Sequence, residues 1–474
     1  LSGLLQNSDG FYHNLSVDQF TPSGEYKMTA FDHHRISYHK IKLDVDGLRQ
    51  GIYSDKYFEN VVHILEGAHA AGYQFAGRSP RTLPAGTGNV PTGDMVVEAQ
   101  YFNRRAPFAL VAGVDAALAI LRAAAGHFEG EKFVETWGDL EVRAVEDGVI
   151  THYAGDPMNV ETVIEIRGRY RDFALLETPM LGVMTRASRI ATNVYNLLQV
   201  ANRKPVLFFP ARFDLPEVQS IDGYAYWVAV QRHNHETGYQ IPAIVSTDAQ
   251  GAWWGGRGGG TVPHALIACF LADTAEAMEA YARYVPPHVP RIALVDFNND
   301  TVRDALATIN AFWPQYRAAL ETGDAEAQKR WTLNGVRLDT SKNTRDESLG
   351  PDDPYGVNPK LVRLVREALD NAWHGWAVPA HLIDDAQKYC RNVQIVVSGG
   401  FDRARIQEYE QADVPVDAYG VGSRFFQNDN DTNTDYTMDI VRVQLDGQWV
   451  DMAKIGRQPC DNPDLQPVDL KMWE

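Results

Sequence analysis

The segment GRGGGTVPHALIACF, residues 256–270, crowds glycines in front of one imidazole and then resumes an apolar run. Glycine lets backbone N–H groups come close to an anion. An imidazole that is neutral near pH 7 accepts a phosphoryl group well. The chemistry on offer at His264 is phosphoryl transfer, and a buried core histidine is the competing reading. A second set of residues ends short apolar runs: Arg212, Asp296, Arg337 with Asp339, then Ser398-Gly399-Gly400, then Gly420, Gly422 and Ser423. A carboxylate at the end of a buried strand is costly unless it is paired or faces a cation. An ion pair with Arg337 or Arg212 would satisfy Asp296 and Asp339 without any function. Taken together, two carboxylates, two arginines and two glycine turns describe a site for a sugar phosphate with Mg²⁺.

These groups need a scaffold that brings strand ends together. Five apolar runs, PVLFFPAR (205–212), RIALVDF (291–297), NGVRLD (334–339), VQIVVSGG (393–400) and VDAYGVG (416–422), are separated by helical stretches such as KLVRLVREALDNAW. Buried strands alternating with helices predict an α/β fold with a parallel sheet, read here as a barrel in preference to an open doubly wound sheet. In a barrel, ligands meet the C-terminal ends of the strands, and phosphate often sits in the loops after the last two. Residues 1–165 mix short strands and helices. A helix is predicted over 113–128, and a β-hairpin over 138–153 around Glu-Asp-Gly. The polar stretch 339–359 is too long for an ordinary βα loop and is expected to be a flexible lid or surface excursion.

Composition narrows the function. The 474 residues are 45% hydrophobic and carry a net charge of -18. So acidic a surface repels a phosphate backbone, which argues against a nucleic-acid partner but leaves small phosphorylated ligands open. No run reaches membrane-spanning length, and no signal peptide is visible. Cys269, Cys390 and Cys460 are scattered, which fits a reducing, cytoplasmic compartment and neither a disulfide framework nor a zinc knuckle. DHHR (32–35) and HNHE (233–236) lack the setting or spacing of a metal pair. HNHE is expected in a polar turn, and the aromatic runs YAYWVAV and AWWGG in the core or an interface.

GIYSDKYF (51–58), GTVPHAL, GVRLD and the pair SGGFDRARIQEYEQADVPVDAYGVGSRFF (398–426) resemble nicotinate phosphoribosyltransferases, within the wider group that includes nicotinamide and quinolinate enzymes. The resemblance covers most of the chain in the expected order. It implies an N-terminal α/β domain (1–165), an irregular α/β barrel (166–426) and a C-terminal segment (427–474) folding back on the first. It implies an ATP-coupled transfer of ribose 5-phosphate from 5-phosphoribosyl 1-diphosphate to nicotinate in NAD biosynthesis, with Mg²⁺, in a homodimer whose active site lies near the subunit interface. His264 would then be phosphorylated from ATP. Thr261 and Arg337 would lie by the pyridine carboxylate, Ser423 by the 5-phosphate, and Tyr57 would stack on the base. The resemblance has two departures: one Arg, Arg212, stands where the family has two, and LDSGD is here LDTSK. The amide substrate nicotinamide is the alternative, with Asp248 as a candidate acceptor. A non-catalytic phosphosugar binder is the reading outside the enzyme class.

Overall fold

The computed structural model describes residues 35–75, 77–84, 90–471 and 473. Residues 32–34 of DHHR lie outside them, while Arg35 is described and pairs with Asp115. The chain is a mixed α/β protein. All five apolar runs become parallel strands of one sheet, in the order Val206–Phe208, Ala418–Val421, Gln394–Val397, Gly335–Leu338 and Ile292–Leu294. Two isolated parallel bridges, Phe208 to Val245 and Val245 to Gly258, carry the arc on to the glycine segment. Short β-rich runs buried on both faces make these strands, as a parallel sheet requires.

Register sets the two faces. Arg337 stands opposite Val396, Val396 opposite Ala418, and Gly420 opposite Leu207. One face therefore carries Leu207, Val396 and Ala418, which form a small apolar cluster with Ile292 and, at its edge, Phe209 and Ile244. Phe208, Val336, Leu338, Ile395, Val397, Tyr419 and Val421 join the main core, which continues through the helices and the N-terminal sheet. That second sheet is antiparallel. Its strand Val96–Asn103 pairs with Ile164–Arg169 on one side and with Tyr436–Leu445 on the other. Two long helices, Glu177–Leu198 and Gln219–Thr237, pack on each other, and among the described residues no helix is long and apolar enough to cross a membrane.

Three expectations change. The hairpin over 138–153 does not form: Glu141–Ala144 pairs with Ile164–Arg169, and Ile150–His152 pairs with Phe108–Leu110. The turn between them is drawn inward instead, since Asp147 accepts from the Val114 N–H at 2.8 Å and Gly148 donates to Val111 at 2.7 Å. The helix expected over 113–128 stops at Ala124, and Gly126–Glu129 is a strand. HNHE is the last turn of the helix Gln219–Thr237, with His233 buried in the core.

The stretch 339–359 is docked and not a free lid. Asp346, 1% exposed, accepts from the Thr301 N–H at 2.9 Å and from the Thr301 and Ser348 hydroxyls. Asn358 then caps the helix Pro359–Asn371 by accepting from Leu361 N–H at 3.0 Å. A polar stretch can be well ordered when its side chains satisfy backbone donors that would otherwise be orphaned.

A buried acidic joint links the two layers. Asp115 pairs with Arg35 at 2.6 Å, and Asp147 accepts from the Tyr224 hydroxyl of the helix Gln219–Thr237 at 3.0 Å. Burial, and then the charge of Asp115, push Asp147 up to about 7, and burial raises Asp115 as well. An acid whose folded value is raised favours the folded state while it keeps its proton. That stability is complete below the unfolded value near 3.8 and is lost as pH rises through about 7. Across about pH 5 to 8 the Tm of the wild type should therefore fall more steeply than that of Asp147→Asn, followed by thermal melts. Parallel curves would place the titration elsewhere.

Candidate active site

The centre of the site is the guanidinium of Arg337, on the strand Gly335–Leu338. It donates from Nε to Ser398 Oγ at 3.0 Å, from Nη1 to Thr261 Oγ1 at 3.1 Å and from Nη2 to Asp339 Oδ2 at 2.7 Å. Ser398 in turn donates to Asp339 Oδ1 at 2.7 Å. Arg337 and Asp339 are two residues apart on an extended strand end and share a face, which is what strand alternation requires. A guanidinium has five N–H groups, so two remain for a ligand. Both side chains of the ion pair are about one-fifth exposed, at 19% and 23%, so solvent reaches the pair from one side.

Next to this group stands a second. His264 opens the short helix His264–Cys269, and its Nε2 lies 3.0 and 3.2 Å from the two Asp296 oxygens. The imidazole is 46% exposed and the carboxylate 7%. This rules out the core-histidine reading. Burial is the largest influence on Asp296 and raises it; His264 opposes the shift and the charge of Asp339 adds to it. The two carboxylates at neighbouring strand ends thus feel each other. No group of three or more His, Cys, Asp or Glu side chains suited to a metal exists among the described residues. Two carboxylates alone suit Mg²⁺ only in company with waters and phosphate oxygens, which is the usual way this ion is held.

The glycine turns close the rim. Gly399 and Gly400 adopt φ of +91° and +81°, open only to residues without a Cβ cost. Gly399 lies against Asp339, and Gly400 faces open space. Gly420 packs under the ring of Phe209, where a Cβ would stand 2.6 Å from Cε2 and 3.1 Å from Ser398 Cβ. Gly422 lies under Phe213, and Ser423, itself exposed, begins the turn Ser423–Phe426. Arg212 is exposed in the turn Pro210–Phe213, its guanidinium 5.5 Å from the Phe213 ring.

The structure thus joins Thr261, Arg337, Asp339 and Ser398 by hydrogen bonds, with Gly399 and Gly420 against them and the hydrogen-bonded pair His264–Asp296 close enough for Asp339 to act on Asp296; Gly400, Gly422, Ser423 and Arg212 belong to the turns at the neighbouring strand ends. It does not bring Tyr57 to them. Tyr57, 58% exposed, begins the helix Lys56–Ala70 and stands with Phe58, Asp55 and Glu177. Asp248 is engaged elsewhere, accepting from the Gly258 N–H at 2.9 Å. One residue escaped the sequence reading. Phe209 presents its ring to Gly420 and lies 5.5 Å from the Arg337 guanidinium. The signal was present: Phe209 follows Phe208 at the strand end, so one ring must face the core and the other the site.

No protein-family model matches the chain. Among solved structures, nicotinate-nucleotide pyrophosphorylase from Pyrococcus furiosus is similar over 88% of this chain and 80% of its own, at 25% identity and a TM-score of 0.58. The chain has the fold of the nicotinate phosphoribosyltransferase group. Human nicotinic acid phosphoribosyltransferase is more distant, at 17% identity and a TM-score of 0.49 over 82% of this chain and 75% of its own.

The contact at Gly420 yields a paired test. Gly420→Ala should push Phe209 out of place and cost about 1–3 kcal/mol of stability by overpacking. Gly400→Ala meets no atom within 4 Å and should cost only the left-handed backbone penalty, about 1–2 kcal/mol. Urea denaturation measures both. An unaltered Phe209 ring in a crystal structure of Gly420→Ala would contradict the packing account.

Proposed function

We propose that the chain is a pyridine phosphoribosyltransferase of NAD biosynthesis, and that its reaction joins nicotinate to 5-phosphoribosyl 1-diphosphate with ATP hydrolysis, giving nicotinate mononucleotide and diphosphate. The arc of parallel strands is then an irregular barrel, with the site at the C-terminal ends of its strands. The observation that carries this reading is a single guanidinium, Arg337, paired with Asp339 beside the glycine turn Ser398-Gly399-Gly400, with the Asp296–His264 pair next to Asp339. Such a transfer builds positive charge at the ribose C1′ and negative charge on the departing diphosphate. The two carboxylates suit the first, and Arg212 with backbone N–H groups suits the second. Alternatively, Asp296 and Asp339 would hold Mg²⁺ through water, which would supply positive charge beside the diphosphate. Phe209 gives the pyridine ring a flat neighbour, and the two spare N–H groups of Arg337 suit its carboxylate.

His264 has the geometry of a phosphoryl acceptor. With Nε2–H donating to Asp296, the lone pair is left on Nδ1, and Asp296 stabilises the positive charge that phosphorylation brings to the ring. His264→Ala should therefore lose acid-labile phosphorylation by labelled ATP, and with it the stimulation of nucleotide formation by ATP. Retention of both would remove His264 from the chemistry.

Nicotinate is favoured over nicotinamide because the two spare N–H groups of Arg337 match a carboxylate, while Asp248, the acceptor proposed for an amide, is not in contact with the Arg337 group and holds Gly258. The deciding measurement is kcat/KM for nicotinate, nicotinamide and quinolinate with 5-phosphoribosyl 1-diphosphate, Mg²⁺ and ATP, in wild type and in Arg337→Gln. The variant should lose about tenfold to a hundredfold in preference for nicotinate over nicotinamide, the size of one charge-assisted contact. Equal losses for both bases would assign Arg337 to the phosphoribosyl donor. Tyr57 fits this scheme from a second subunit: Ile52, Tyr53, Tyr57 and Ile64 are all exposed on one N-terminal region, a face for a homodimer that would carry Tyr57 to the partner's base.

A further inference from the structure

The turn Ser398-Gly399-Gly400 presents backbone that is unusually free to move. Two consecutive glycines at positive φ allow the peptide between them to rotate at little steric cost. The direction of that peptide matters for an anion. One orientation offers the Gly400 N–H to the rim, and the other offers the Gly399 carbonyl, which would repel a phosphate. Among the described residues neither the Gly399 nor the Gly400 N–H donates to a protein acceptor, and both residues are exposed.

Something must fix the choice, and one side chain is placed to do so. Arg405 sits in the first turn of the helix Arg403–Gln411, whose cap Asp402 accepts from the Arg405 N–H at 3.1 Å. Its Nη1 donates to the Gly399 carbonyl at 2.8 Å, while Nη2 donates to the carbonyl of Val357. The Tyr409 hydroxyl donates to that same Val357 carbonyl at 2.9 Å. The guanidinium carbon lies over Phe401, 4.1 Å from the ring centroid, so its position is set by packing as well as by hydrogen bonds. In a trans peptide the carbonyl and the following N–H point to opposite sides. The only cis bond among the described residues is Ala106–Pro107. With its carbonyl turned to Arg405, the Gly399–Gly400 peptide must direct the Gly400 N–H away from Arg405, to the open side of the turn.

We propose that Arg405 is a positioning residue that locks the Gly399–Gly400 peptide with its N–H outward, so that the turn is an anion cradle before any ligand arrives. It acts through the backbone and not by touching the phosphate. The same fork ties the turn to the docked stretch 339–359 through Val357. Two loops that would otherwise move separately are thereby held as one wall of the site. This inference rests on the phosphoribosyltransferase reading, because it takes the phosphate of 5-phosphoribosyl 1-diphosphate as the anion.

The test compares wild type, Arg405→Ala and Arg405→Lys by calorimetric titration with 5-phosphoribosyl 1-diphosphate, together with a ligand-free crystal structure of Arg405→Ala. Arg405→Ala should bind about tenfold to a hundredfold more weakly, the loss expected when charge-assisted hydrogen bonds to an anion are no longer aligned. Its Gly399–Gly400 peptide should be rotated or present in two orientations. Arg405→Lys keeps a stem over Phe401 and one donor, so it should fold as the wild type does and show an intermediate loss. Methylguanidine added to Arg405→Ala should restore part of the affinity. Equal affinity in wild type and Arg405→Ala overturns the proposal and leaves the functional reading standing. Weaker binding with an unrotated peptide also overturns it, since Arg405 would then act as a charge alone. No binding by the wild type overturns both.

Discussion

The site depends on one constraint: the Arg337 guanidinium must be held at a strand end by partners from three separate segments. Asp339 comes from its own strand, Ser398 from the neighbouring strand and Thr261 from the glycine segment before His264. Only the parallel register supplies the first two together. Leu338 is opposite Val397, so Asp339 and Ser398 emerge side by side just beyond the ladder. A slip of one residue would turn Ser398 to the helical side and leave the arginine one partner short. That register is fixed in turn by the apolar residues beneath it, Val336, Leu338, Ile395 and Val397, all buried. Packing far from solvent thus sets the geometry of the polar group.

The same economy of partners governs the second pair. Asp296 is nearly buried, and burial raises it, which without compensation would favour a neutral acid. His264 counteracts this from the solvent side, and Asp339 reinforces it from the next strand. Asp339 is itself neutralised by Arg337. The two groups therefore form a row in which two carboxylates stand side by side, Asp296 with the imidazole at its outer end and Asp339 with the guanidinium at its own.

Around this row the loops are more ordered than their composition suggests. The stretch 339–359 has few apolar residues, yet Asp346 satisfies the start of the helix Thr301–Thr322 and Asn358 the start of the helix Pro359–Asn371. Asp248 ties the glycine segment by holding Gly258, and Arg405 ties the Gly399 turn to Val357. Polar side chains that complete backbone hydrogen bonds take the place of an apolar core here.

The five parallel strands, the residues at their ends and the imidazole after the glycines were legible in the sequence. Each is a local pattern: an apolar run of strand length, a turn residue, then an acid, an arginine or glycine. Phe209 could have been found by the same alternation. The failures were of another kind. The segments 141–144 and 150–152 are strands, but Asp147 turned their connection inward to Val114, so each found a distant partner. Nothing within 138–153 specifies Ile164–Arg169 or Phe108–Leu110 as those partners. Asp346 reads as one more polar loop residue until Thr301 is beside it, and Arg405 as a surface arginine until the Gly399 carbonyl is. The sequence by itself determined which segments are strands and which side chains stand at their ends, because period and burial are local properties. The tertiary structure decided which ends meet, since pairing and buried hydrogen bonds join residues far apart in the chain.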